Sequence, residues 1–212
     1  ALRAAGLTDG DRVALVVPEV AGFIRAFFGI AAAGLVPVPL FPPAQAGDVP
    51  TFSRQSQHIL AASRAAAVVT TADVAPLIDV SALGPAPMGL ILDALRAGPA
   101  LDSPVAVAPG STALLQFTSG STAAPKGVVL THANVHANAT GIAHGLGVTP
   151  SDVGVSWLPL YHDMGLIGML LAAVYACVDA VIMSPVLFLK RPTAWLEAIS
   201  TYRGTISFAP NF

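Results

Sequence analysis

Short apolar runs rich in β-branched residues alternate along the chain with longer stretches whose apolar positions recur at helical spacing, which predicts a parallel sheet covered by helices. Val13 to Val17 reads as a strand closed by Pro18. From Ala21 to Ala33, Phe23, Phe27 and Ile30 keep a helical period, and Val36 to Leu40 is an extended piece held open by alternating prolines. Phe52 to Ser63 reads as a helix, Ala67 to Thr70 as a buried strand, Asp73 to Ile78 as a short helix and Leu90 to Leu92 as a further strand. Residues 97–111 are rich in Gly, Pro, Ala and Ser, which marks an exposed connection and a candidate subdomain junction.

Further on, strand Ala113 to Phe117, a Gly/Ser/Thr loop and strand Val128 to Leu130 lead into a helix from His132 to His144. Strand Val153 to Trp157, helix Met164 to Ala176 and strand Ala180 to Met183 follow. Pro192 to Tyr202 reads as a helix with proline in its first turn, and Thr205 to Phe208 as the last strand. No internal repeat is visible. The fold class expected is α/β, a layered arrangement of sheet and helices.

Composition narrows the functions open to this pattern. Of 212 residues 54% are hydrophobic and 10% charged, which excludes disorder and implies a large buried core. Lys126 and Lys190 are the only lysines, so this inventory of charge covers a complete soluble surface poorly and further chain is expected over part of it. A net charge of -2 provides no footprint for a phosphate backbone, so no nucleic-acid partner is expected. Pro37, Pro39, Pro42 and Pro43 interrupt the uncharged stretch from Ala26 to Gly47. Met164 to Val178 falls short of the roughly 20 residues that span a bilayer, so no integral membrane segment is expected. No secretory signal is visible, and a cytoplasmic setting is expected. Cys177, alone within an apolar run, reads as a small core hydrophobe.

The chemistry concentrates between Thr118 and Gly127. Thr118-Ser119-Gly120-Ser121-Thr122-Ala123-Ala124-Pro125-Lys126-Gly127 packs four hydroxyls, two glycines and a lysine into ten positions. Small residues expose backbone N–H groups, and hydroxyls and an ammonium add donors, which suits a polyphosphate; a plain Ser/Thr-rich turn has the same composition. The GxxxxGK[ST] loop of the NTPases does not fit, because Pro125 precedes Lys126 and a β-branched strand follows. A GxSxG nucleophile elbow is absent here.

The run does resemble the phosphate-binding signature of the adenylate-forming enzymes, in which a Ser/Thr/Gly run leads to Pro-Lys-Gly and an apolar strand. The resemblance implies that Thr118, Ser119, Gly120, Ser121, Thr122 and Lys126 contact the phosphates of ATP, carried with Mg²⁺, while a carboxylate attacks the α-phosphate. Ala123 stands where many members have glycine, and its Cβ disfavours a left-handed backbone.

A second segment runs Trp157-Leu158-Pro159-Leu160-Tyr161-His162-Asp163-Met164-Gly165-Leu166-Ile167-Gly168. Asp163 is placed to cap the helix that follows, and His162 is either packed or functional at a strand's C-terminal end. With Phe188-Leu189-Lys190-Arg191-Pro192, Trp195-Leu196 and Phe208-Ala209-Pro210-Asn211-Phe212, this segment is similar to the fatty acyl-AMP ligases, and the resemblance extends from Gly10-Asp11-Arg12 to Phe212.

That branch activates long-chain fatty acids as acyl-adenylates and passes them to an acyl carrier protein or a polyketide or nonribosomal peptide synthase. The resemblance implies His162 beside the adenylate carboxyl and α-phosphate, and Met164, Gly165, Gly168 and Asn211 at the substrate. Gly165 and Gly168 suit either an acyl tunnel or close helix packing. His132 and His136 are four apart, yet no glutamate follows His132 as HExxH requires; a solvated helix face is the expectation and no metal site is assigned.

Against the family's pattern, residues 1–212 correspond to part of the N-terminal AMP-binding domain, truncated at both ends. The adenine and ribose motifs and the C-terminal domain with its lysine lie outside it. A fatty acyl-CoA ligase on the same fold and a non-catalytic membrane-associated or scaffold protein stay open as alternatives.

Overall fold

Val13, Ala14, Leu15 and Val16 are almost fully shielded from solvent, and the strand that carries them, β1 (Arg12–Val16), is flanked on both sides by parallel partners. The computed structural model describes residues 1–43, 48–83, 88–118 and 125–210. In it the chain divides into two compact units, Ala1–His132 and Ala133–Phe212.

The first unit is built on a four-stranded parallel sheet in the order β2-β1-β3-β4, with β2 Val36–Pro39, β3 Ala67–Thr70 and β4 Met88–Ile91. β2 and β3 are buried at every position, as expected of strands covered on both faces. Helix α1 (Val20–Ala32) connects β1 to β2 and starts where the Glu19 carboxylate accepts the N–H groups of Ala21 and Gly22. It buries Phe23, Ala26, Phe27 and Ile30. Gly34 then turns the chain at φ +71, where a Cβ would also meet Val105 at 2.9 Å. Helix α2 (Val49–Ser63) connects β2 to β3, sends Phe52, Ile59 and Leu60 into the core and ends at Arg64 in the left-handed conformation.

Beyond β4 come α3 (Leu92–Ala97) and the coiled connection, which is mostly exposed and lies within the first unit. Then β5 (Thr112–Thr118) pairs antiparallel with β6 (Lys126–Thr131). Leu115 of β5 joins the core formed by Val36, Val38, Phe52 and Leu60, so the hairpin stands on the same packed base as the sheet.

Helix α4 (His132–Leu146) leads into the second unit, where β7 (Val153–Ser156) and β8 (Asp179–Ile182) form a parallel pair. Between them Met164–Leu171 winds as a wide helix with π geometry and continues as α5 (Ala172–Ala176). Helices α6 (Pro185–Lys190) and α7 (Thr193–Tyr202) follow β8.

Several expectations are corrected. The strand expected at Thr205 to Phe208 reduces to a single parallel bridge, Gly154 with Ile206. The helix expected at Asp73 to Ile78 is a single tight turn at Ala75–Leu77. Helices α3 and α6 were not expected; each has six residues, too few to display a period. Cys177 is exposed rather than buried: it ends α5 in a left-handed conformation at φ 53, and the neighbouring Val174 and Tyr175 also face solvent. Among the described residues no helix is long and apolar enough to cross a membrane.

Candidate functional site

The hairpin of the first unit explains its own Pro-Lys-Gly sequence. Phe117 and Gly127 are register partners, and a Cβ on Gly127 would lie 2.8, 3.1 and 3.2 Å from three atoms of the Phe117 ring. Phe117 packs against the sheet's core, so glycine at 127 is what allows the ring to lie inward. One step on, Thr118 and Lys126 form the last pair of the ladder, and both side chains are exposed. Directly opposed residues of an antiparallel pair share a face, so the Thr118 hydroxyl and the Lys126 ammonium emerge side by side, opposite to the face that takes Phe117. Ser119, Gly120, Ser121 and Thr122 lie outside the described residues, as do Ala123 and Ala124.

One contact at this hairpin has no counterpart in the sequence reading. The ring Nε2 of His58, on α2, lies 3.1 Å from the carbonyl oxygen of Pro125. The two residues are 67 positions apart and share no motif, so no pattern in the sequence joins them.

In the second unit the end of β7 is held by polar and aromatic contacts. The buried Ser156 hydroxyl accepts the Leu158 N–H at 3.1 Å, and Trp157 stacks on Phe188 at 3.8 Å with 6° between the rings. Trp195 meets both rings edge-on and donates its indole N–H to Ser207, whose hydroxyl reaches the Val155 carbonyl. From this base the chain turns through Pro159, whose carbonyl accepts the His162 N–H at 3.1 Å.

His162 and Asp163 are exposed, at 63% and 60% of their side-chain surface. Asp163 occupies the cap position, and its Oδ1 accepts the Met164 N–H at 2.7 Å. The same oxygen is 2.7 Å from His162 Nδ1, while the Met164 nitrogen is 3.3 Å from that ring nitrogen. The Met164 N–H thus points at both Asp163 Oδ1 and His162 Nδ1, which draws the carboxylate and the ring together at the start of the helix. Burial pushes the neighbouring Tyr161 phenol above its ordinary value, so it stays protonated near neutral pH.

The two glycines of the wide helix serve different ends. A Cβ on Gly165 would run into the Pro159 carbonyl, with its carbon at 2.9 Å and the Leu158 oxygen at 3.0 Å. Gly168 has nothing nearer than Met164 Cγ at 4.0 Å. It opens instead onto a groove of about 350 Å³ lined by Gly141, Ile142, Gly145, Leu146, Met164, Gly168 and Phe208, none of which has a polar side chain. Asn211 lies outside the described residues. His136 contacts the Tyr175 ring at 5.4 Å, and among the described residues no three His, Cys, Asp or Glu side chains gather as a metal site.

The chain is similar to known proteins along nearly its whole length. A 4-hydroxyphenylalkanoate adenylyltransferase of Mycobacterium tuberculosis is 39% identical over 226 residues, covering 97% of this chain and 34% of that protein. The long-chain-fatty-acid–AMP ligase FadD26 of Mycobacterium bovis is 39% identical over 224 residues, covering 100% of this chain and 37% of that protein. A fatty acyl-adenylate ligase from L. pneumophila, solved with acyl adenylate and pyrophosphate, superposes with a TM-score of 0.85 at 34% identity, over 99% of this chain and 36% of the other. The chain thus spans little more than a third of the length of the curated relatives it matches. The family described as AMP-binding enzyme matches residues 1–211, and the chain belongs to it.

Proposed function

We propose that the chain is the N-terminal part of a fatty acyl-AMP ligase, which joins a long-chain fatty acid to AMP and then delivers the acyl group to a carrier protein or synthase. The observation that carries the reading is the hairpin that sets Thr118 and Lys126 on one face beside a hydroxyl-rich loop. A carboxylate oxygen of the fatty acid attacks the α-phosphorus of ATP. The bond to the β-phosphate oxygen breaks, and pyrophosphate leaves with that electron pair. Lys126 and Thr118, with Ser119, Gly120, Ser121 and Thr122, hold the β- and γ-phosphates and take up the charge that grows on the leaving group. Mg²⁺ bound to the ATP phosphates would add positive charge beside Lys126 and would need few protein ligands.

His162, held beside Asp163, is placed to donate a hydrogen bond to an oxygen of the reacting carboxyl or α-phosphate. Met164, Gly168 and the apolar groove receive the acyl chain, with Gly165 fixing the helix against Pro159, and Asn211 is a further substrate residue by the family resemblance. The two relatives named above are equally identical but act on different acids by name. The groove favours an alkyl chain, because a hydroxyphenyl group would bury its hydroxyl against a lining without a polar side chain. A cytoplasmic setting, where ATP is at hand, belongs to the same proposal.

ATP–pyrophosphate exchange tests the proposal. The complete enzyme is expected to exchange label only when a long-chain fatty acid is present, and the 212-residue piece alone is expected not to exchange. Exchange by the complete enzyme that ignores the fatty acid would refute the assignment.

A further inference from the structure

We infer that His58 is a positioning residue of the phosphate hairpin, tying the Pro125–Lys126 peptide to helix α2. The inference rests on the reading of that hairpin as the ATP-phosphate site. Helix α2 has a fixed rotation, because Phe52, Ile59 and Leu60 are at most 3% exposed in the core. His58, at an exposed position of the same helix, reaches Pro125 with its Nε2 at 3.1 Å from the carbonyl oxygen. A carbonyl only accepts, so Nε2 carries the proton, which both the neutral Nε2–H tautomer and the imidazolium allow.

What this bond fixes follows from peptide geometry. Pro125 has no N–H, so its carbonyl is the one backbone group through which it can be held by a hydrogen bond. That carbonyl shares a rigid plane with the Lys126 nitrogen, so holding the oxygen sets the orientation of the plane from which the Lys126 side chain departs. On the other side Lys126 pairs with Thr118. The lysine is thereby constrained from β5 and from α2, and less of its freedom has to be lost when the phosphates arrive.

The test uses the complete enzyme, with KM for ATP and for fatty acid measured by pyrophosphate exchange alongside thermal unfolding. His58→Ala is expected to raise the KM for ATP by about three- to tenfold, the range of one hydrogen bond, while the fatty-acid KM and the unfolding midpoint hold. His58→Gln, which offers an amide donor at a similar reach, is expected to restore the ATP KM, and His58→Phe, a ring without a donor, is not. If the alanine variant fails to fold, the comparison of Gln with Phe decides alone: equal KM values for ATP would overturn the inference. An unchanged ATP KM in His58→Ala, with Lys126→Ala strongly impaired, would overturn the role of His58 and leave the hairpin reading intact. An unimpaired Lys126→Ala would remove both. Equal rises in both KM values without rescue by glutamine would mean a general structural role and also overturn the inference.

Discussion

Strands β2 and β3 of the first unit have no exposed residue, whereas β8 of the second begins with the exposed pair Asp179 and Ala180, and α7 buries Ala194 alone. The second unit also leaves Leu189 74% and Leu196 59% exposed, next to Val186 and Leu187 on the short helix α6. The first unit thus fills its sheet from its own helices, and its hairpin grows out of that core through Leu115 and Phe117. The second has more apolar side chain than its own elements cover. The hairpin that we propose holds phosphate stands on the unit with the fuller core, although its strand β6 leaves Val128 45% and Val129 60% exposed. The groove that we propose receives the acyl chain lies in the unit where glycines and a wide helix leave space.

The contrast can be broken most forcefully in the core. Phe52→Ala is expected to cost about 3–5 kcal/mol, while Leu196→Ala is expected to stay within about 0.5 kcal/mol, both read by denaturant unfolding. Similar costs at the two sites would erase the distinction. Next in size, Lys126→Ala in the complete enzyme is expected to lower kcat/KM for ATP by on the order of 10²-fold, with fatty-acid binding intact; equal loss of both would contradict a phosphate role.

Within the second unit, Gly165→Ala is expected to cost about 1–3 kcal/mol because its methyl group meets backbone. Gly168→Leu is expected to spare the fold and shift selectivity toward shorter acids, checked by exchange rates across a chain-length series. The smallest effect concerns acid. The Thr205 hydroxyl, followed by the N–H and hydroxyl of Thr149, holds the Asp152 carboxyl below its ordinary value of 3.8. A lowered value stabilises the fold above pH 3.8 and ceases to do so as pH falls through the folded-state value. Asp152→Asn is therefore expected to lower the unfolding midpoint slightly at pH 6 and to converge with the wild type only as pH falls below the folded-state value.

Much of this contrast was legible in the sequence. Buried parallel strands announce themselves as continuous apolar runs, and Ala67 to Thr70 is bounded in the structure as the pattern predicts. The hairpin was legible because two apolar strands, Ala113 to Phe117 and Val128 to Leu130, flank a run of small polar residues. Helix period said nothing about Met164–Leu171 being wide, since its apolar side chains satisfy either geometry. Gly165 and Gly168 look alike in the sequence, and only the placement of the Pro159 carbonyl separates them. Cys177 followed an apolar run, but the run ends at a solvent-facing helix terminus. The contact between His58 and Pro125 arises from tertiary packing of α2 beside β6, which no local spacing encodes.

The most direct test of the central claim is a crystal structure of the complete protein soaked with a non-hydrolysable acyl-adenylate analogue and pyrophosphate. Pyrophosphate oxygens within hydrogen-bonding distance of Thr118 Oγ1 and Lys126 Nζ are the expected result. Pyrophosphate bound elsewhere, with the hairpin empty, would contradict it.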